Sequence, residues 1–203
     1  MPPADRRVGV RLALCVLGVG LLAIPSSHLA RADTVGKSDK NDTRGPLDMV
    51  RVGHGHRNHH PKILVHTVTM ADRWGKEDVR NKNSFLYLWF DTDGDRYAEH
   101  RIAVVDEDGR LTAQFQDYDE SSDSAEVGPS TDLRFRRPNR RTIRVFLPRR
   151  RLGVNRYRWS AETLYRSSAS RHCRFGKPLC HDKAPRGRGR GRILHVLSRR
   201  AGE

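Results

Sequence analysis

Residues 83–105 constrain the fold of this chain more than any other stretch. Phe85, Tyr87 and Trp89 fall on one side of an extended segment at period two, and Leu86, Leu88 and Phe90 on the other. Apolar residues on both sides of so short a run place a strand in the middle of a sheet or under a second layer. Asp91-Thr92-Asp93-Gly94-Asp95 follows, a carboxylate-dense turn with a glycine bend, and Ile102, Val104 and Val105 open a second apolar run. The pattern predicts a hairpin whose loop carries three aspartates at alternate positions.

Runs of the same kind recur at 47–52, 62–70, 84–90, 101–105, 111–118, 133–137, 142–147 and 157–165. Turn residues separate them. Asp106-Glu107-Asp108-Gly109 reads as a second hairpin turn, and Arg137-Pro138-Asn139-Arg140 as a third, with proline presetting the bend and asparagine tolerating positive φ. Helical periodicity is confined to a turn or two at 72–80 and 148–153. About eight short strands with turns between them predict an all-β chain, an antiparallel β-sandwich or jelly-roll, with an open barrel as the alternative.

The ends differ from this body. Residues 1–32 read as a signal peptide: Arg6, Arg7 and Arg11 precede an apolar run at 12–24, and Ala30-Arg31-Ala32 supplies small residues before Asp33. The run is shorter than the ~20 residues a spanning helix needs, so a secreted, extracellular chain with no membrane span after cleavage is expected. Residues 33–45 are polar and read as a disordered lead-in, 46–170 as the sandwich domain, and 171–203 as a basic, mostly irregular tail. Cys173 and Cys180 are the cysteines left after cleavage, and in an oxidising compartment they read as a disulfide pinning the start of the tail. The net charge of +15 is concentrated there: 171–203 has ten basic residues and two acidic ones, against 25 and 21 in residues 33–170.

Asp91, Asp93 and Asp95 are candidate ligands for calcium, because hard cations take oxygen ligands and alternate carboxylates around a glycine bend supply them. Glu99 is a fourth candidate. The spacing is not that of an EF-hand, since glycine comes fourth and position twelve is Ile102. The plainer alternative is a solvated Asp-Gly hairpin whose aspartates cap their own turn.

Phe90-Asp91-Thr92-Asp93-Gly94-Asp95 resembles the turn of a class of secreted bacterial β-sandwich domains. So do Leu47-Asp48, the Trp74 region, Arg137-Pro138 with Arg141-Thr142, Phe146-Leu147-Pro148-Arg149 and residues 157–163. Those domains accompany extracellular proteases or stand alone, and are similar in fold to carbohydrate-binding and other jelly-roll modules. The resemblance spans 47–163 and implies that architecture. The histidine-rich stretch and the arginine tail depart from it, so no ligand specificity carries over.

His54, His56, His59 and His60, with His66 nearby, form an alternative metal set for zinc, copper or nickel. The competing reading is a polar loop between two strands. Trp89 and Trp159 read as core, and Trp74 as a loop residue that could stack on a sugar. Arg186, Arg188, Arg190 and Arg192 would bind a polyanion, an anionic cell-wall polymer rather than nucleic acid given export; a solubilising tail is the alternative. No HExxH or GxSxG motif is present. The sequence therefore leans away from an enzyme, toward a secreted binding or interaction module for an unidentified extracellular ligand. An extracellular hydrolase or protease-associated accessory domain is the alternative.

Overall fold

The computed structural model describes residues 35–39, 43, 45–57, 60–80, 84–118, 129–166, 179–185 and 196–197. Twelve strands run in chain order among them: β1 (Val35–Ser38), β2 (Met49–Arg57), β3 (His60–Met70), β4 (Phe85–Asp91), β5 (His100–Glu107) and β6 (Arg110–Asp117). They continue with β7 (Thr131–Asp132), β8 (Arg134–Arg136), β9 (Thr142–Pro148), β10 (Arg156–Arg166), β11 (Leu179–Ala184) and β12 (Val196–Leu197). Two antiparallel sheets result. The first has the order β1-β2-β3-β9-β8, the second β11-β10-β4-β5-β6-β7, and β12 pairs with the far end of β10.

All eight strands expected from the sequence are present, and their alternation sets which face turns inward. On β4, Leu86, Leu88 and Phe90 are buried, while Phe85, Tyr87 and Trp89 point to the outer face and are half-buried. Val52, Leu64, Val68, Ile143, Val145 and Leu147 of the first sheet meet Leu88, Phe90, Ile102 and Trp159 of the second in one core. Burying each such side chain contributes about 1.5–3 kcal/mol.

The turns follow local chemistry. Asp108 (φ 50°) and Gly109 (φ 77°) both adopt positive φ, as a two-residue β5–β6 hairpin requires. At 137–140 asparagine acts by a different route from the one expected. Asn139 is not among the positive-φ residues; its Oδ1 accepts the Arg141 and Thr142 N–H groups, each at 2.8 Å. The two predicted helical turns are short 3-10 segments, Lys76–Val79 and Arg149–Arg151.

The N-terminal region corrects the sequence reading, and the tail adds paired strands. The expected disordered lead-in holds β1, whose edge pairs Val35 with His54. The tail, expected to be mostly irregular, holds β11, which pairs with β10 from Ala161↔Ala184 to Arg166↔Leu179. Neither has an apolar alternation of its own; pairing to a neighbour makes each a strand. β11 also ties the sheets together, because buried Asp182 Oδ2 accepts the Met49 N–H at 2.8 Å. Cys180 is buried on β11, while Cys173, the predicted signal peptide and Arg186, Arg188, Arg190 and Arg192 lie outside the described residues. No helix among the described residues is long and apolar enough to cross a membrane.

Candidate metal centre and neighbouring sites

The β4–β5 hairpin delivers the predicted carboxylate turn. β4 ends on Asp91, β5 begins at His100, and Phe90↔His100 is the last paired register before the loop. Asp91, Asp93, Asp95 and Glu99 each offer a carboxylate oxygen, and these atoms lie within 4.8 Å of one another. Asp91 is buried at the base, Asp93 and Asp95 are exposed at the tip, and Glu99 is between.

The turn also satisfies much of its own charge. Asp91 Oδ1 accepts Gly94 N–H at 2.6 Å and Oδ2 accepts Arg96 N–H at 3.2 Å. Asp93 accepts Asp95 N–H at 3.0 Å, and Asp95 accepts Tyr97 N–H at 2.8 Å. Glu99 Oε2 takes both the N–H and the hydroxyl of Thr92, at 2.5 and 2.7 Å. Arg158 on β10 stands 3.8 Å from Asp91 Oδ2 and donates to Gly94 O at 3.2 Å. No sequence pattern points to Arg158, which reaches the turn only because β10 pairs with β4. Gly94 (φ 93°) and Arg96 (φ 86°) both hold left-handed backbone. Such a conformation costs a non-glycine residue on the order of 1–3 kcal/mol, and at Arg96 it aims the N–H at Asp91. Both sequence readings thus share one geometry: the aspartates cap their own turn and also converge.

The described histidines of this stretch fall on two strands. His54 and His56 are on β2 rather than in a loop, His60 begins β3 on the exposed side, and His59 lies outside the described residues. Among the described residues, the carboxylate turn is the group of three or more candidate ligands whose atoms come together; the histidines do not form one. His54 instead faces His66 directly across the β2–β3 pair, and both are buried. His66 Nε2 is 3.1 Å from the Tyr157 hydroxyl, with its ring edge-on to Phe90 (5.0 Å) and Trp159 (4.8 Å). Burial, with His56 nearby, lowers the His54 pKa to about 4; burial, then His54 and His56, lowers His66 to about 3. Both imidazoles are neutral at pH 7. Among the described residues, His54 Nδ1, His66 Nδ1 and Trp159 Nε1 have no hydrogen-bond partner. These are core histidines.

The tryptophans divide as well. Trp159 is core as expected. Trp74 is buried rather than presented for stacking: its Nε1 donates to Arg141 O at 3.0 Å, and the Arg137 guanidinium covers its ring at 4.2 Å. Trp89 turns to the outer face of the second sheet instead of the core. There its Nε1 donates to Glu162 at 2.7 Å, and Glu162 meets His181 at 2.6 Å and Lys183 at 3.9 Å. Burial works against the Glu162 carboxylate, but His181, Lys183 and Trp89 together hold its pKa below the usual value. The Glu162 hydrogen bond raises that of His181. Arg101 on the same face lies 4.9 Å from the Tyr87 ring and 5.0 Å from that of Tyr118, and donates to Gln116 at 2.6 Å.

Fold and turn together define an antiparallel two-sheet β protein with a carboxylate-lined hairpin at one end. No known protein family matches the sequence, and no match is found among curated proteins or solved structures.

Proposed function

We propose that this protein is a secreted, non-enzymatic binding module whose Asp91–Glu99 turn takes a calcium ion in a structural role. The convergence of four carboxylates within 4.8 Å at the end of a buried hairpin carries the reading. Calcium takes six to eight oxygens at about 2.3–2.6 Å. Asp91, Asp93, Asp95 and Glu99 would supply the anionic ones. Their hydrogen bonds to backbone N–H groups leave further lone pairs for a metal, since an ionised carboxylate has about four acceptor sites. In this role the ion fixes the loop at the open end of the sandwich, where connecting segments present ligand-contacting residues.

The test is a calorimetric titration of calcium into EDTA-stripped protein, beside Asp93→Ala. Asp93 is exposed, so its loss leaves the core intact. Saturable binding to wild type that is at least about tenfold weaker in the variant supports the reading; one carboxylate removed from a coordination set is the cause. Equal heats, or none in either, reduce the turn to a hairpin held by its own hydrogen bonds.

A further inference from the structure

The near balance of charge in the sandwich conceals a separation between its two sheets. Every aspartate and glutamate on a strand belongs to the second sheet; lysine and arginine are the charged residues on the five strands of the first. The period-two alternation of those strands sends Arg51, Arg134, Arg136 and Arg144 outward, where all four are exposed. Arg136 and Arg144 are directly opposed on β8 and β9, and Arg144 is opposed on its other side by Thr67 of β3. Arg140 and Arg141, also exposed, extend the band into the turn that joins β8 to β9. Among the described residues none of these six guanidiniums has a carboxylate partner, and the one ring contact is Arg134 over Phe146 at 5.9 Å. Like charges directly across a ladder destabilise a sheet. Packing does not require them here, because the core lies on the opposite face.

We propose that the outer face of the first sheet binds a base-free phosphodiester chain of the polyol-phosphate kind. Residues two apart on a strand stand about 7 Å apart and neighbouring strands about 5 Å, so the cations recur at the density of a polymer with one charge per short unit. A polymer with one carboxylate per disaccharide would match fewer of them. Arginine presents a planar fork suited to phosphate oxygens. Nucleic acid fits less well, since single strands are held by aromatic platforms between the cations and Phe146 already lies under Arg134. A bilayer fits less well too, because Tyr97 is the single exposed large hydrophobic among the described residues and lies on the β4–β5 loop. This surface is separate from the carboxylate turn, and its arginines are other residues than those at 186–192 in the sequence.

The test uses full-length protein in EDTA, so that the calcium reading is not at stake, with poly(glycerol phosphate) as probe. Hyaluronan, duplex DNA and phosphatidylglycerol vesicles are the comparison arms. Wild type should bind the phosphate polymer best, more weakly as salt rises. Arg136→Gln/Arg144→Gln should lower the salt slope by about two, one for each phosphate no longer neutralised, and weaken binding at low salt. Its unfolding midpoint should be slightly raised, which separates a binding defect from a folding defect. Replacing Arg186, Arg188, Arg190 and Arg192 with serine should leave binding in place. The proposal is overturned if the sheet variant binds as wild type, if the serine variant abolishes binding, or if any comparison arm binds more tightly.

Discussion

The two sheets share a core but treat charge in opposite ways on their outer faces. On the second, Glu162 gathers Trp89, His181 and Lys183, and Arg101 lies near two tyrosine rings with Gln116 on its Nε. At the end of that sheet Asp91 is satisfied by Gly94, Arg96 and Arg158. On the first, arginines stand exposed and two oppose each other. A face whose charges answer one another stabilises the fold by itself. A face whose charges repel gives up some stability and acquires an affinity for whatever neutralises it.

The largest expected effect comes from breaking the self-satisfied side at Asp91. Asp91→Ala strands two backbone N–H groups and removes the partner of Arg158; urea unfolding should show a loss of about 3 kcal/mol. Next is the core that both sheets share. His54 and His66 have folded pKa values near 4 and 3, below the ~6.5 of the unfolded chain. The unfolded state therefore gains protons first as pH falls. The contribution of these two histidines should be flat above about pH 7 and decline below 6.5, by about 2 kcal/mol at pH 5 from each. His66→Leu paired with Tyr157→Phe, which removes both hydrogen-bonding partners, should roughly halve that slope in denaturant titrations at several pH values, with the His54 share remaining.

A smaller effect is expected at Glu162. Glu162→Gln weakens three interactions and should cost about 1 kcal/mol. NMR titration should then show the His181 pKa falling back toward its ordinary value. The sign is checkable: a raised His181 pKa stabilises the fold below about 6.5 and ceases to do so as pH rises through the folded value. An unmoved His181 would mean that Glu162 does not set its protonation.

The strands with their own alternation are legible in the sequence: 84–90 and 101–105 define the central hairpin, and Asp91, Asp93, Asp95 and Glu99 stand out as candidate ligands whose carboxylates converge. β1 and β11 are not, because segments such as Leu179–Ala184 carry no apolar period and become strands by pairing. His54 and His56 resemble a polar loop because glycines flank them, yet the first stands over Trp159. Trp74 looks like a loop residue because its cover, Arg137, is distant in sequence. The arginine face is visible only in part. Arg134, Arg136 and Arg144 alternate at period two, but that the acidic residues gather on the other sheet depends on topology.

Unfolding midpoints at low ionic strength test the contrast most directly, with Arg136→Gln/Arg144→Gln and Glu162→Gln measured beside wild type. Opposite signs are expected: removing the opposed arginines raises the midpoint by an amount worth a few tenths of a kcal/mol, removing Glu162 lowers it, and added salt shrinks both differences. A midpoint lowered by the arginine substitutions would contradict the contrast between the sheets, because those guanidiniums would then be stabilising the fold.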